Sequence, residues 1–177
     1  VLVDKIYLDN EYFLRNFNGN LFLKGSKIIN ANLNGNFTDD KNLQFTVITK
    51  NSNKVTTLFS DKAEPLVKRY KFVKGFDEGS LDFYNSKDIE DSISTLKIYD
   101  FKLKELPVLT KILTLASLQG IADLLSGEGI RFDEFEMKFS NKNNLLTIQE
   151  IYAIGPAIST LMNGYIEKGK LISLRGT

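Results

Sequence analysis

"IRFDEFEMKF", residues Ile130–Phe139, alternates apolar and polar side chains, but not in a single phase. Ile130 and Phe132 share one parity, whereas Phe135, Met137 and Phe139 take the other. A period of two puts successive side chains on opposite faces of a strand. One extra residue flips every later side chain, so the switch predicts a strand with a bulge or bend. "TLKIYDFKL" (Thr95–Leu103) makes the same switch, from Leu96 and Ile98 to Phe101 and Leu103.

The same alternation extends outward. In "ANLNGNF", Ala31, Leu33, Gly35 and Phe37 share a face and Asn32, Asn34 and Asn36 take the other. "LQFTV" sets Leu43, Phe45 and Val47 against Gln44 and Thr46, and "SLDFY" brings Leu81 and Phe83 together. Asn18-Gly19-Asn20, Asn34-Gly35-Asn36, Asp77-Glu78-Gly79, Asn141–Asn144 and Lys168-Gly169-Lys170 read as turns between these runs. "NGNFTDDKNLQF" (Asn34–Phe45) is similar to "NGYIEKGKLISL" (Asn163–Leu174). The similarity fits either a structural repeat, a sheet grown by adding like strands, or two generic hairpins. The fold expected is mostly β: an extended, curled, groove-like antiparallel sheet.

One stretch breaks the pattern. "PVLTKILTLASLQGIADLLSGEGIRF" (Pro107–Phe132) is the most apolar part of the chain. Its uncharged run, Ile112–Ala122, is too short for the roughly 20 apolar residues of a membrane span. Val108, Leu109, Ile112, Leu113, Leu115 and Ala116 share a helical face; Leu118, Ile121, Ala122 and Leu125 fall nearly opposite. The stripe jumps near Ser117, which predicts two short helices or one sharply kinked helix. A helical hairpin insertion around 107–126, covering an edge or end of the sheet, is the expectation.

Composition narrows the function. The chain has 177 residues, with 23 Lys+Arg against 22 Asp+Glu, a net charge of +1. That balance gives no basic excess for nucleic acid and no polybasic run for anionic lipid. With no Cys and no His, thiol nucleophiles, His-based triads, most zinc sites and disulfides are excluded. The chain begins at Val1 without a signal peptide and ends "LISLRGT" inside a strand-like pattern, so it reads as a piece of something longer.

Sites for chemistry are few. Asp133, Glu134 and Glu136 are the one cluster that could form paired carboxylates, but a parity change is where solvated charges are expected. "SGEGIRF" (Ser126–Phe132) lacks the Gly-Lys-Ser/Thr ending of a phosphate loop and follows a helix rather than preceding one. "TDDKNLQ" lacks the ligand spacing of a calcium loop. We expect no catalytic residue, no metal site and no cofactor.

The span "LPVLTKILTLASLQGIADLLSGEGIRFDEFEMKFSNKNNLLTIQEIYAIGPAISTLMNGYIEKGKL" resembles the C-terminal region of the AsmA-like protein family, the AsmA/TamB/YhdP group. The resemblance rests on Leu106-Pro107-Val108, then Leu113, Leu115, Ser117 and Leu118, then Leu-Ser-Gly-x-Gly-Ile-x-Phe-Asp at Leu125–Asp133. Gly155-Pro156 and Asn163-Gly164 complete it. It covers about Gly75–Thr177, with "GFDEGSLDF" (Gly75–Phe83) like the strand before the helical piece, and is loose upstream of Val67. The form is most like alphaproteobacterial versions, and the Lys/Asn/Ile-rich composition suits a rickettsial type.

The resemblance implies a β-strand repeat segment over 1–74 and the family's C-terminal β segment over 75–177, joined in one continuous sheet. It implies a non-enzymatic periplasmic protein, anchored in the inner membrane. Such a protein shields phospholipid acyl chains in an apolar β-groove during transport between inner and outer membranes, and serves outer-membrane biogenesis. Candidate lipid-binding residues, taken from the apolar members of alternating strands, are Phe45, Val47, Phe83, Ile98, Phe135, Met137, Phe139 and Ile148. The same residues equally suit a sealed core. The partner expected is phospholipid, with an envelope protein docking through Pro107–Ser126 as a further expectation and nucleic acid excluded. The competing reading is a structural or protein-interaction scaffold of the envelope that binds no lipid.

Overall fold

The computed structural model describes residues 1–69, 75–89, 91–104, 127–143, 145–167 and 170–176. It is one open antiparallel sheet of eleven strands, paired in strict chain order. The strands are β1 (Leu2–Tyr7), β2 (Phe13–Lys24), β3 (Lys27–Asn36), β4 (Asn42–Lys50), β5 (Asn53–Ser60), β6 (Phe76–Lys87), β7 (Asp91–Leu103), β8 (Ile130–Lys142), β9 (Leu145–Ile154), β10 (Ser159–Glu167) and β11 (Lys170–Gly176). Helix α1 (Glu64–Val67) lies between β5 and β6. The expected helical hairpin at 107–126 lies outside the described residues. Among those described, no helix is long and apolar enough to cross a membrane.

Both parity switches mark a real irregularity. Pairing of β7 with β8 runs Phe101↔Phe132, then resumes at Tyr99↔Glu134, stepping over Asp100 and Asp133. β6 yields at the same level, with Glu78↔Phe101 followed by Ser80↔Tyr99. Asp100 (φ 51), Glu78 (φ 66) and Gly79 (φ 81) are left-handed there. A Cβ on Gly79 would lie 2.8 Å from the Tyr99 carbonyl oxygen, so glycine suits both the space and the backbone. Three adjacent strands are therefore creased along one line. The flip keeps the apolar side chains together: Phe76, Phe101, Ile130 and Phe132 beyond the crease share a core with Leu81 and Ile98 before it.

Three of the five turn readings are corrected. Asn18-Gly19-Asn20 lies inside β2 and Asn34-Gly35-Asn36 inside β3, with Gly19 opposite Leu33. A Cβ on Gly19 would sit 1.9 Å from the Asn32 carbonyl oxygen, so close strand approach rather than a turn fixes that glycine. Asp77-Glu78-Gly79 is likewise no hairpin turn but the crease within β6. The turns joining the early strands are elsewhere. Asn51 and Ser52, with φ of 50 and 68, make a two-residue hairpin of the primed type between β4 and β5.

α1 was not expected. Its sequence, Glu-Pro-Leu-Val, is too short to show periodicity, although Pro65 in the first turn is a start signal. Ala63 and Val67 are buried in the larger core beside Phe76 and Leu81, and Leu66 also reaches the core of Leu14, Phe37 and Leu43. The amide of Ala63 donates to the Gly79 carbonyl at 2.7 Å, tying this segment to the crease. Burial and the carboxylate of Glu64 hold the Tyr12 phenol well above its ordinary pKa, so the β1–β2 turn is tied to the same helix.

Candidate functional site: an apolar face across the sheet

Register decides what the face contains. Residues paired directly across an antiparallel ladder share a face, so each row of partners can be followed from strand to strand. The central row is Leu33–Phe45–Leu58–Phe83–Leu96–Met137–Ile151–Met162, unbroken from β3 to β10. Toward α1 the next row is Gly35–Leu43–Ser60–Leu81–Ile98–Phe135–Ala153–Thr160. On the other side runs Ala31–Val47–Thr56–Asn85–Ser94–Phe139–Ile148–Gly164.

All of the sequence-chosen residues fall in these rows. Phe45, Phe83 and Met137 lie in the central row, Ile98 and Phe135 in the row toward α1, and Val47, Phe139 and Ile148 in the third. Val47, Ile98 and Ile148 are buried, whereas Phe45, Phe83, Phe135, Met137 and Phe139 are half-buried and keep apolar surface accessible. The choice omitted Leu33, Leu58, Leu96, Ile151 and Met162, which complete the central row. Their signal was the same alternation, but only the register shows that they join the others.

The rows have different chemistry at their two ends. Toward α1 the face closes into an aromatic stack: Phe101 lies 5.2 Å from both Phe76 and Phe132, with ring planes nearly parallel. Phe135 meets Phe101 edge-on at 6.5 Å. Away from α1 the face turns polar. The Asn85 amide donates to the Ser94 hydroxyl at 2.9 Å, and Ser94 is only 3% exposed.

The opposite face is charged. Lys97 reaches Glu136 at 3.0 Å, Lys138 reaches Glu136 at 3.1 Å and Glu150 at 3.2 Å. The hydrogen bond from Lys97, reinforced by Lys138, holds the Glu136 carboxyl below the ordinary carboxylate range. Glu134 lies 4.0 Å from the same Lys97, and Asp133 is exposed at the crease. The acidic cluster is thus an ion-pair ladder and not a carboxylate pair facing a pocket. A polar cleft of about 440 Å³ beside α1 is lined by Asp39, Asp61, Lys62, Glu64, Glu78 and Asp100 among others. No group of acids among the described residues is arranged to hold a metal ion.

Compared with protein-family models, with curated proteins and with solved structures, the chain matches none.

Proposed function

We propose that the sheet curls about its apolar face to form a trough for lipid acyl chains, and that the chain is a segment of an AsmA-like phospholipid-transport protein of the periplasm. The observation that carries this reading is the central apolar row, unbroken across eight strands. At about 4.8 Å per strand it extends for roughly 34 Å. Half of a hydrocarbon core about 30 Å thick allots roughly 15 Å to one acyl chain, so the row can hold one with room to slide. Each buried CH₂ contributes about 0.8 kcal/mol, which suffices without any covalent step. Strand twist and the shared crease supply the curl.

The test is mass spectrometry of lipids that co-purify after bacterial expression, beside a Phe135→Asp/Phe139→Asp variant. Stoichiometric phospholipid on the wild type, lost from a still-folded variant, supports the trough. A folded wild type carrying none favours the scaffold reading instead. One observation speaks for that second reading. Ile48, Phe59, Tyr84 and Ile93 are 45–61% exposed on the opposite face, where a protein partner would cover them.

A further inference from the structure

Two lysines stand directly opposite each other on the apolar side of the sheet. Lys54 on β5 pairs across the ladder with Lys87 on β6. Each is two residues beyond the polar row, Lys54 after Thr56 and Lys87 after Asn85, so both share the face that carries Phe83 and Leu58. Their flanking partners are neutral: Thr49 opposite Lys54, Ser92 opposite Lys87. No ion pair among the described residues engages either one, and Asp91, which Lys142 meets at 3.0 Å, lies one residue from Ser92 and so on the other face. Like charges directly opposite on a sheet repel and destabilise the pairing. A single anion between the two ammonium groups removes that repulsion and accepts charge-assisted hydrogen bonds from both.

The surroundings show what the anion is attached to. Along β6 the face reads Lys87, Asn85, Phe83, Leu81; along β5 it reads Lys54, Thr56, Leu58; along β7, Ser92, Ser94, Leu96, Ile98. Each step is roughly 7 Å. Charge gives way to neutral hydrogen-bonding groups and then to hydrocarbon. That is the polarity order of an acyl phospholipid: phosphate, ester-linked backbone, chains.

We infer that Lys54 and Lys87 form a phosphate-binding subsite that seats the anionic headgroup of an amphiphile whose chain lies on the apolar face. The inference deepens the trough reading and rests on it for the source of the phosphate. The experiment is calorimetric titration, below the micelle concentration, with three ligands: dodecyl phosphate, an uncharged dodecyl octaethylene glycol ether, and inorganic phosphate. Wild type is compared with Lys54→Gln/Lys87→Gln. The expected result is about tenfold tighter binding of dodecyl phosphate than of the uncharged ether by the wild type. In the variant that preference vanishes while affinity for the ether is unchanged. Its ligand-free melting temperature equals or exceeds that of the wild type, because a repulsion has been removed. Equal affinities in the wild type, or a preference that survives in the variant, overturns the subsite. Binding of inorganic phosphate alone, weakened in the variant, keeps the anion site and sinks the trough. No heat from any of the three ligands at either about 10 or 35 °C, where apolar burial is no longer thermally silent, overturns both.

Discussion

Phe101→Ala tests whether the crease is a packed junction or a mere irregularity. Phe101 is 4% exposed, and its ring is sandwiched between Phe76 and Phe132 with Phe135 at its edge. Truncating a buried phenylalanine removes transfer free energy and leaves a cavity, together about 3–5 kcal/mol. The upper half of that range is expected here, since stacked pairs add about 0.5–1.5 kcal/mol beyond burial. The assay is urea unfolding followed by far-ultraviolet circular dichroism. With a slope of about 2 kcal/mol/M, the midpoint falls by roughly 2 M. Phe59→Ala is the control: Phe59 is 45% exposed on the opposite face, and its midpoint moves by a few tenths molar at most. If Phe101→Ala unfolds within about 0.5 M of wild type, or no earlier than Phe59→Ala, the junction does not hold the sheet as argued.

Three further outcomes follow from the same geometry. Gly79→Ala forces a Cβ at φ +81 to within 2.8 Å of the Tyr99 oxygen, costing about 1–3 kcal/mol in the same unfolding assay; an unchanged midpoint contradicts the crease. Glu136 has its folded pKa depressed by Lys97 and Lys138, so its stabilisation is present above its unfolded pKa and fades as pH falls through the folded one. Glu136→Gln therefore lowers stability at pH 7 by no more than about 1 kcal/mol and flattens the stability profile on the acid side, measured as unfolding midpoints from pH 7 to pH 3. Tyr12→Phe removes a step above the ordinary tyrosine range from the phenolate absorbance titration, because burial and Glu64 raise that phenol's pKa; persistence of the step places it on another tyrosine.

The faces were legible in the sequence because β-strand alternation needs only parity, and parity survives without knowing any partner. The crease was legible for the same reason: Phe101 and Phe135 sit one place out of phase with Ile98 and Phe132. Asn-Gly misled because it is a strong hairpin signal, yet in β2 and β3 the glycine answers close backbone and side-chain approach, with Phe17 and Leu14 packed over Gly35. α1 left little local signal; its position depends on tertiary contacts of Ala63, Leu66 and Val67. The Lys54–Lys87 pair was invisible for a different reason. The two are far apart in the chain, and a register slip of one residue would set them on opposite faces.

On the trough reading, one face of the sheet takes acyl chains and the other does not. Phe83 and Tyr84 are neighbours in β6 whose side chains lie on opposite faces, Phe83 between Leu58 and Leu96, Tyr84 between Thr57 and Thr95. A photo-crosslinking benzoylphenylalanine placed at each position in turn, in protein incubated with radiolabelled phospholipid, separates the two surfaces by one residue. Lipid adducts are expected from position 83 and only background from 84. Equal labelling at both, or labelling at 84 alone, would contradict it.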